Sequence, residues 1–144
     1  MHFEELPRDW AQRPITDPDV FEGVVDLIVP EQSRSEGATY LLLCHPNLHL
    51  LQPICLPDDP RRSGVGEDLE GVRLLLTEVS RHGVHDVVMV VARPGRVTPT
   101  PRDRELRAAF EGACRDTGLT LHAVAIAAVD DVAVLPPEGD RAAA

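Results

Sequence analysis

Two groups of side chains in this chain have types and spacings that could do chemistry. The first is the turn Arg93-Pro94-Gly95-Arg96 followed by Thr100-Pro101-Arg102-Asp103. Guanidinium groups present planar forks of N–H donors suited to carboxylates and phosphates. Arg93, Gly95, Arg96 and Thr100 therefore form a candidate anion-binding or interaction loop, with a rigid turn carrying solvated arginines as the simpler account. Asp103 has a structural reading of its own. Thr100 as N-cap, Pro101 at the first helical position and an acid at the third make a helix start of the capping-box kind.

The second group is Cys44, His45 and His49, set around a predicted turn. Thiolate and imidazole are zinc ligands, yet side chains across a strand turn need not converge. A buried thiol with two surface imidazoles is the simpler account, and no metal is assigned. His82 and His85 flank a Gly-Val step and lack the one-face spacing of a helical HExxH. His122 falls inside a predicted strand as a half-buried sheet residue. Cys114 shares an apolar helical face with Leu106, Ala109, Phe110 and Ala113, which reads as core. No GxSxG, Walker-type or GxGxxG pattern occurs, so no catalytic residue and no cofactor is assigned.

The elements that must position these residues follow from periodicity. Asp17-Pro18 opens a helix whose apolar residues run from Val20 to Ile28 and which Pro30 stops. A polar connector, EQSRSEG, leads to the strand Thr39–Cys44, a turn at His45-Pro46-Asn47 and a second strand over Leu48–Leu56. Pro53 makes that second strand an edge or a bulge. The loop PDDPRRSGVG precedes a helix over Glu67–His82, closed by Gly83. Val87–Val91 is β-branched and wholly apolar, and reads as a central strand. The loop Ala92–Pro99 leads to the third helix, ended by Gly118. Strands over Leu119–Val129 and Val132–Leu135 meet at Asp130-Asp131. The order α-β-β-α-β-α-β-β predicts an α/β (α+β) fold, a mixed β-sheet flanked by helices. Residues 1–16 read as an arm pinned by Trp10, 17–136 as one domain and 137–144 as a disordered tail.

Composition narrows the function. The chain has 144 residues and a net charge of -10. Its 14 basic residues are all Arg. A negative surface opposes phosphate-backbone contacts, so nucleic acid is not an expected partner. No apolar run approaches the roughly 20 residues of a membrane span, and the polar start has no signal-peptide pattern, which together predict a cytoplasmic protein. Cys44, Cys55 and Cys114, without a CxxC pair, fit reduced thiols in a core.

From Thr39 onwards the order and several local motifs resemble the RadC branch of the JAB/MPN metalloprotease-like fold. In that family a glutamate precedes the first hairpin strand. A His-x-His-Pro zinc motif follows a central apolar strand, and a Pro-Thr-Pro-Ser-x-x-Asp segment opens the next helix. Here Glu36 precedes YLLLC. Val91-Ala92-Arg93-Pro94-Gly95 stands where His-x-His-Pro would lie. Val97-Thr98-Pro99-Thr100-Pro101-Arg102-Asp103 resembles the helix-opening segment with one residue fewer, and Gly118-Leu119 begins the next strand. The chain also looks like a group of small actinobacterial proteins with an LLLC…ARPG…PT…D pattern. The resemblance covers about residues 36–135 and implies relic-site positions at Glu36, Val91, Arg93, Thr100 and Asp103. Val91 has no lone pair and Arg93 would repel a cation, whereas catalytic zinc needs about three protein ligands and an open position. The resemblance therefore implies a pseudoenzyme: a non-catalytic interaction or regulatory module with an unidentified protein partner, or a homodimer. Two alternatives stay open. One is a small-molecule anion binder or enzyme using the Arg93–Thr100 loop. The other is a metal-dependent hydrolase with ligands rebuilt around His45 and His49.

Overall fold

The computed structural model describes residues 3–58 and 65–135. Residues 59–64 of the Pro/Asp/Gly-rich connector, and the tail from 136 onwards, lie outside the described residues. The fold is mixed α/β, as the sequence order predicts. Strands β1 (Ala38–Cys44), β2 (Leu50–Pro57), β3 (Asp86–Ala92), β4 (Thr120–Ala127) and β5 (Val132–Leu135) form one sheet in the order β2-β1-β3-β4-β5. Every neighbouring pair is antiparallel except β3 and β4, which run parallel. A parallel pair needs a long crossover, supplied here by helix α4 (Pro101–Thr117).

β3 lies at the centre with both faces covered, which is why Val87–Ala92 is an unbroken buried apolar run. β2 is an edge strand, so Pro53, opposite Leu42, costs the sheet no inner hydrogen bond. The turn before β2 is longer than the sequence suggests. Leu48 adopts φ 69°, a conformation unfavourable for a bulky side chain. It is held there because its carbonyl accepts the Ile15 N–H at 2.8 Å and its side chain packs on the core.

Alternation along the strands divides the core into two sides. On one side Tyr40, Leu42, Val88, Val90, Ala125 and Ala127 meet Phe21, Val24 and Val25 of α1 (Phe21–Ile28). On the other, Leu41, Met89, Val124 and Ile126 meet Leu76 and Val79 of α3 (Val65–Arg81) and Phe110, Ala113 and Cys114 of α4. Ile15, at the end of the expected arm, is only 1% exposed and belongs to the α1 side. No helix among the described residues is long and apolar enough to cross a membrane.

Three local expectations are corrected. α1 begins at Phe21, not after Asp17: the Asp17 carboxylate accepts the Asp19 N–H at 2.9 Å and forms a turn instead, a side-chain competition with helix that short acids make readily. The EQSRSEG connector is a helix, α2 (Glu31–Glu36), so the order of α-helices and strands gains one element, and two short 3-10 helices, Phe3–Glu5 and Trp10–Gln12, lie in the expected arm. Its Arg34 is buried because the last carbonyls of α1 lack intrahelical partners: Arg34 Nε donates to the Val29 carbonyl at 3.2 Å and Nη2 to the Asp26 carbonyl at 3.3 Å. Cys55 is not a core thiol but is exposed on the edge strand β2, where no second layer covers it.

Candidate functional site

Helices α3 and α4 leave a cleft between themselves and the sheet, with a volume of about 470 Å³. Its floor is a row across three strands, because Thr39 pairs with Leu56 on one side and with Val91 on the other. Val72 and Leu75 of α3 face Leu106, Ala109 and Phe110 of α4 as its walls. Asp58, Arg93, Arg102 and Asp103 are the charged residues of the lining among those described. The cleft thus sits at the carboxyl end of the central strand, where open α/β sheets commonly place ligands.

The start of α4 is built as its sequence predicts. Thr100 Oγ1 accepts the Asp103 N–H at 3.2 Å, and the Asp103 carboxylate accepts the Thr100 N–H at 2.8 Å, a reciprocal capping box with Pro101 at the first position. The helix closes at Gly118, whose φ of 80° suits glycine.

Asp103 has a second function. Arg93 Nε donates to Oδ1 at 2.9 Å and Nη2 to Oδ2 at 2.7 Å, a bidentate pair in which the Asp103 side chain is 0% exposed. The other guanidinium donors turn back on the loop. Nη1 donates to the carbonyls of Pro94 (3.1 Å) and Arg96 (2.7 Å), and Nη2 to that of Thr98 (3.1 Å). Five N–H groups meet five bonds, so the fork is saturated. Gly95, with φ 93°, lets the chain reverse tightly enough to bring those carbonyls round. Burial alone would raise the Asp103 pKa, but the hydrogen bonds from Arg93 and Thr100 outweigh it and hold the carboxyl below its usual range.

The predicted anion loop is therefore placed as follows. Arg93 and Thr100 are bonded internally, Gly95 makes the turn, and Arg96 is exposed and outside the cleft lining. Of the relic-site positions, Val91, Arg93 and Asp103 line the cleft together. Thr100 supports them from the cap, and Glu36 stands apart, exposed and accepting from Gln32 of the same helix at 3.3 Å.

Cys44 is buried on the α1 side, its thiol pushed up to about 11 by burial. His45 is exposed, and its N–H donates to the His49 carbonyl at 2.9 Å. No group of three His, Cys, Asp or Glu among the described residues is placed to hold a metal. Burial likewise raises the Cys114 thiol to about 11, which leaves it a poor nucleophile. His82 and His85 are exposed, and His122 meets Asp86 on the neighbouring strand at 2.8 Å.

Sequence reasoning missed Thr39, Arg102, Leu106 and Phe110 as lining of one cleft. Leu106 and Phe110 carried a signal, being one helical turn apart, but that spacing says only that they face inward. No family model matches the chain, and no curated protein matches it.

Proposed function

We propose that this chain is a non-catalytic binding module, a JAB/RadC-like domain whose former reaction centre serves as a ligand cleft in an interaction or regulatory role. The observation that carries this reading is the closed Arg93–Asp103 pair. Among the described lining residues, the one buried acid accepts from three donors that favour its ionised form, and the one partly buried cation has every N–H engaged. A general acid or base must exchange a proton near its working pH, and the bonds to Asp103 shift its carboxyl below the ordinary carboxylate range instead. Among the described lining residues there is no His, Cys, Glu or Lys to act in its place. What remains is a concave, largely apolar surface of the size that small molecules occupy, about 300–1,000 Å³.

Thermal unfolding against a panel of amphipathic small molecules tests this. A ligand present at about 100 times its Kd should stabilise the fold by about 2.7 kcal/mol. Ala109→Trp, which fills the cleft, should remove that response while leaving the circular dichroism spectrum unchanged. Peptide or isopeptide hydrolysis by the purified protein, abolished by a chelator, would overturn the non-catalytic reading.

A further inference from the structure

The geometry points to a small amphipathic carboxylate as the occupant of the cleft, an inference that rests on the binding-module reading above. The first ground is shape and polarity. Leu56 and Val91 on the floor, with Val72, Leu75, Leu106 and Phe110 on the walls, form a trough that favours an extended or flat apolar body.

The second ground is charge. Among the described residues, four charged ones line the cleft: Asp58, Arg93, Arg102 and Asp103. Arg93 and Asp103 neutralise each other, and Asp58 is itself engaged. Arg102 is different. It is exposed, lies one residue before Asp103 on the first turn of α4, and has no hydrogen bond or ion pair with any described residue. Among the described residues the lining therefore offers one unpartnered cation and no unpartnered anion. An ammonium group entering this cleft would meet, among the described residues, only carboxylates that already have partners, whereas a carboxylate would find a guanidinium fork matched to its two oxygens.

The number of donors sets the class. A phosphate monoester carries up to two charges and three acceptor oxygens, and the other guanidinium in the lining has no donor left for it. A single fork suits a single planar carboxylate. The Thr39 hydroxyl, half-buried on the floor and also without a partner among the described residues, offers one neutral hydrogen bond deeper in the trough.

Isothermal titration calorimetry of the full chain with decanoate, 1-decanol and decylamine, at neutral pH and low salt, tests the assignment. Decanoate should bind about tenfold more tightly than decanol, a difference worth about 1.4 kcal/mol, and decylamine should bind most weakly. Arg102→Ala should erase the preference for decanoate over decanol, and Arg102→Glu should transfer it to decylamine. Arg96→Ala, outside the lining, should change nothing. Both Arg102 variants alter an exposed side chain and should fold normally. Equal binding of decanoate and decanol, unchanged in Arg102→Ala, would overturn the carboxylate assignment and leave the cleft reading standing. Failure of all three probes to bind, with Ala109→Trp indistinguishable from the native chain in every titration, would overturn both.

Discussion

The two sides of the sheet use the same device to different ends. On the α1 side, Arg34 is 5% exposed and reaches the carbonyls of Val29, Asp26 and Ala128 and the Asp26 carboxylate. It ties the end of α1 to the turn between β4 and β5, and Phe21, Val24 and Val25 fill the space above the small residues Ala125 and Ala127. On the α3/α4 side, Arg93 also gathers three carbonyls and one carboxylate, but all within its own loop and the first turn of α4. It draws no wall inward, and the cleft beside it stays open. Arg34, whose acceptors come from separate elements, ties those elements together, whereas Arg93, whose acceptors come from one segment, rigidifies that segment.

The sharpest way to break this comparison is Asp103→Ala. It leaves Arg93 without its carboxylate in a mostly desolvated position, at a cost of about 3–5 kcal/mol, and removes half of the capping box as well. Urea unfolding at pH 7 would measure the loss. The same pair dictates a pH dependence. Because the folded pKa of Asp103 is depressed, its stabilisation is complete above the unfolded carboxyl value of about 3.9 and drains away as the pH falls through the folded value. Asp103→Asn should flatten the acid limb of a stability–pH curve, while the slope above about pH 5 stays as in the native chain. An unchanged acid limb would show that other carboxyl groups carry it.

A second contrast lies in tolerance to volume. Leu42→Ala, at a fully buried position of the closed side, should cost about 2–5 kcal/mol through lost burial and a residual cavity. Thr100→Ala, which removes the cap hydroxyl from Asp103 N–H, should cost about 1 kcal/mol by the same urea measurement. The smallest effect is expected on the open side. Ala109→Leu adds methylenes where the lining has room, so stability should move by less than about 1 kcal/mol, and in the favourable direction if the new side chain buries against Leu75 and Phe110. Destabilisation by several kcal/mol would mean that the cleft is not open space in solution.

Much of the framework was legible without coordinates. The apolar β-branched run at Val87–Val91 announced a central strand, Pro53 announced an edge, and Thr100-Pro101-x-Asp103 announced a capped helix that Gly118 would end. Each is a property of a few adjacent residues and needs no knowledge of what lies across the chain. Helix α2 was not legible, because EQSRSEG has no apolar face. What holds it is Arg34 reaching to Ala128, 94 residues away, together with Ser33 meeting the Tyr40 hydroxyl at 2.7 Å.

The sequence by itself determined the order of the main elements, the bounds of α4 and the lack of any complete metal or nucleophile motif, since propensity, capping and ligand spacing all act over a few residues. Only the tertiary structure decided what the arginines do. Read along the chain, Arg93, Arg96 and Arg102 are three similar cations near one helix start. In space, Arg93 is closed on Asp103, Arg96 is exposed outside the cleft lining, and Arg102 stands on that lining without a partner among the described residues. The physical reason is that a charge is defined by its neighbours: desolvation and hydrogen bonding depend on which strands and helices meet around a group, and the packing of α3 against α4 over β1, β2 and β3 is written in no single stretch of residues.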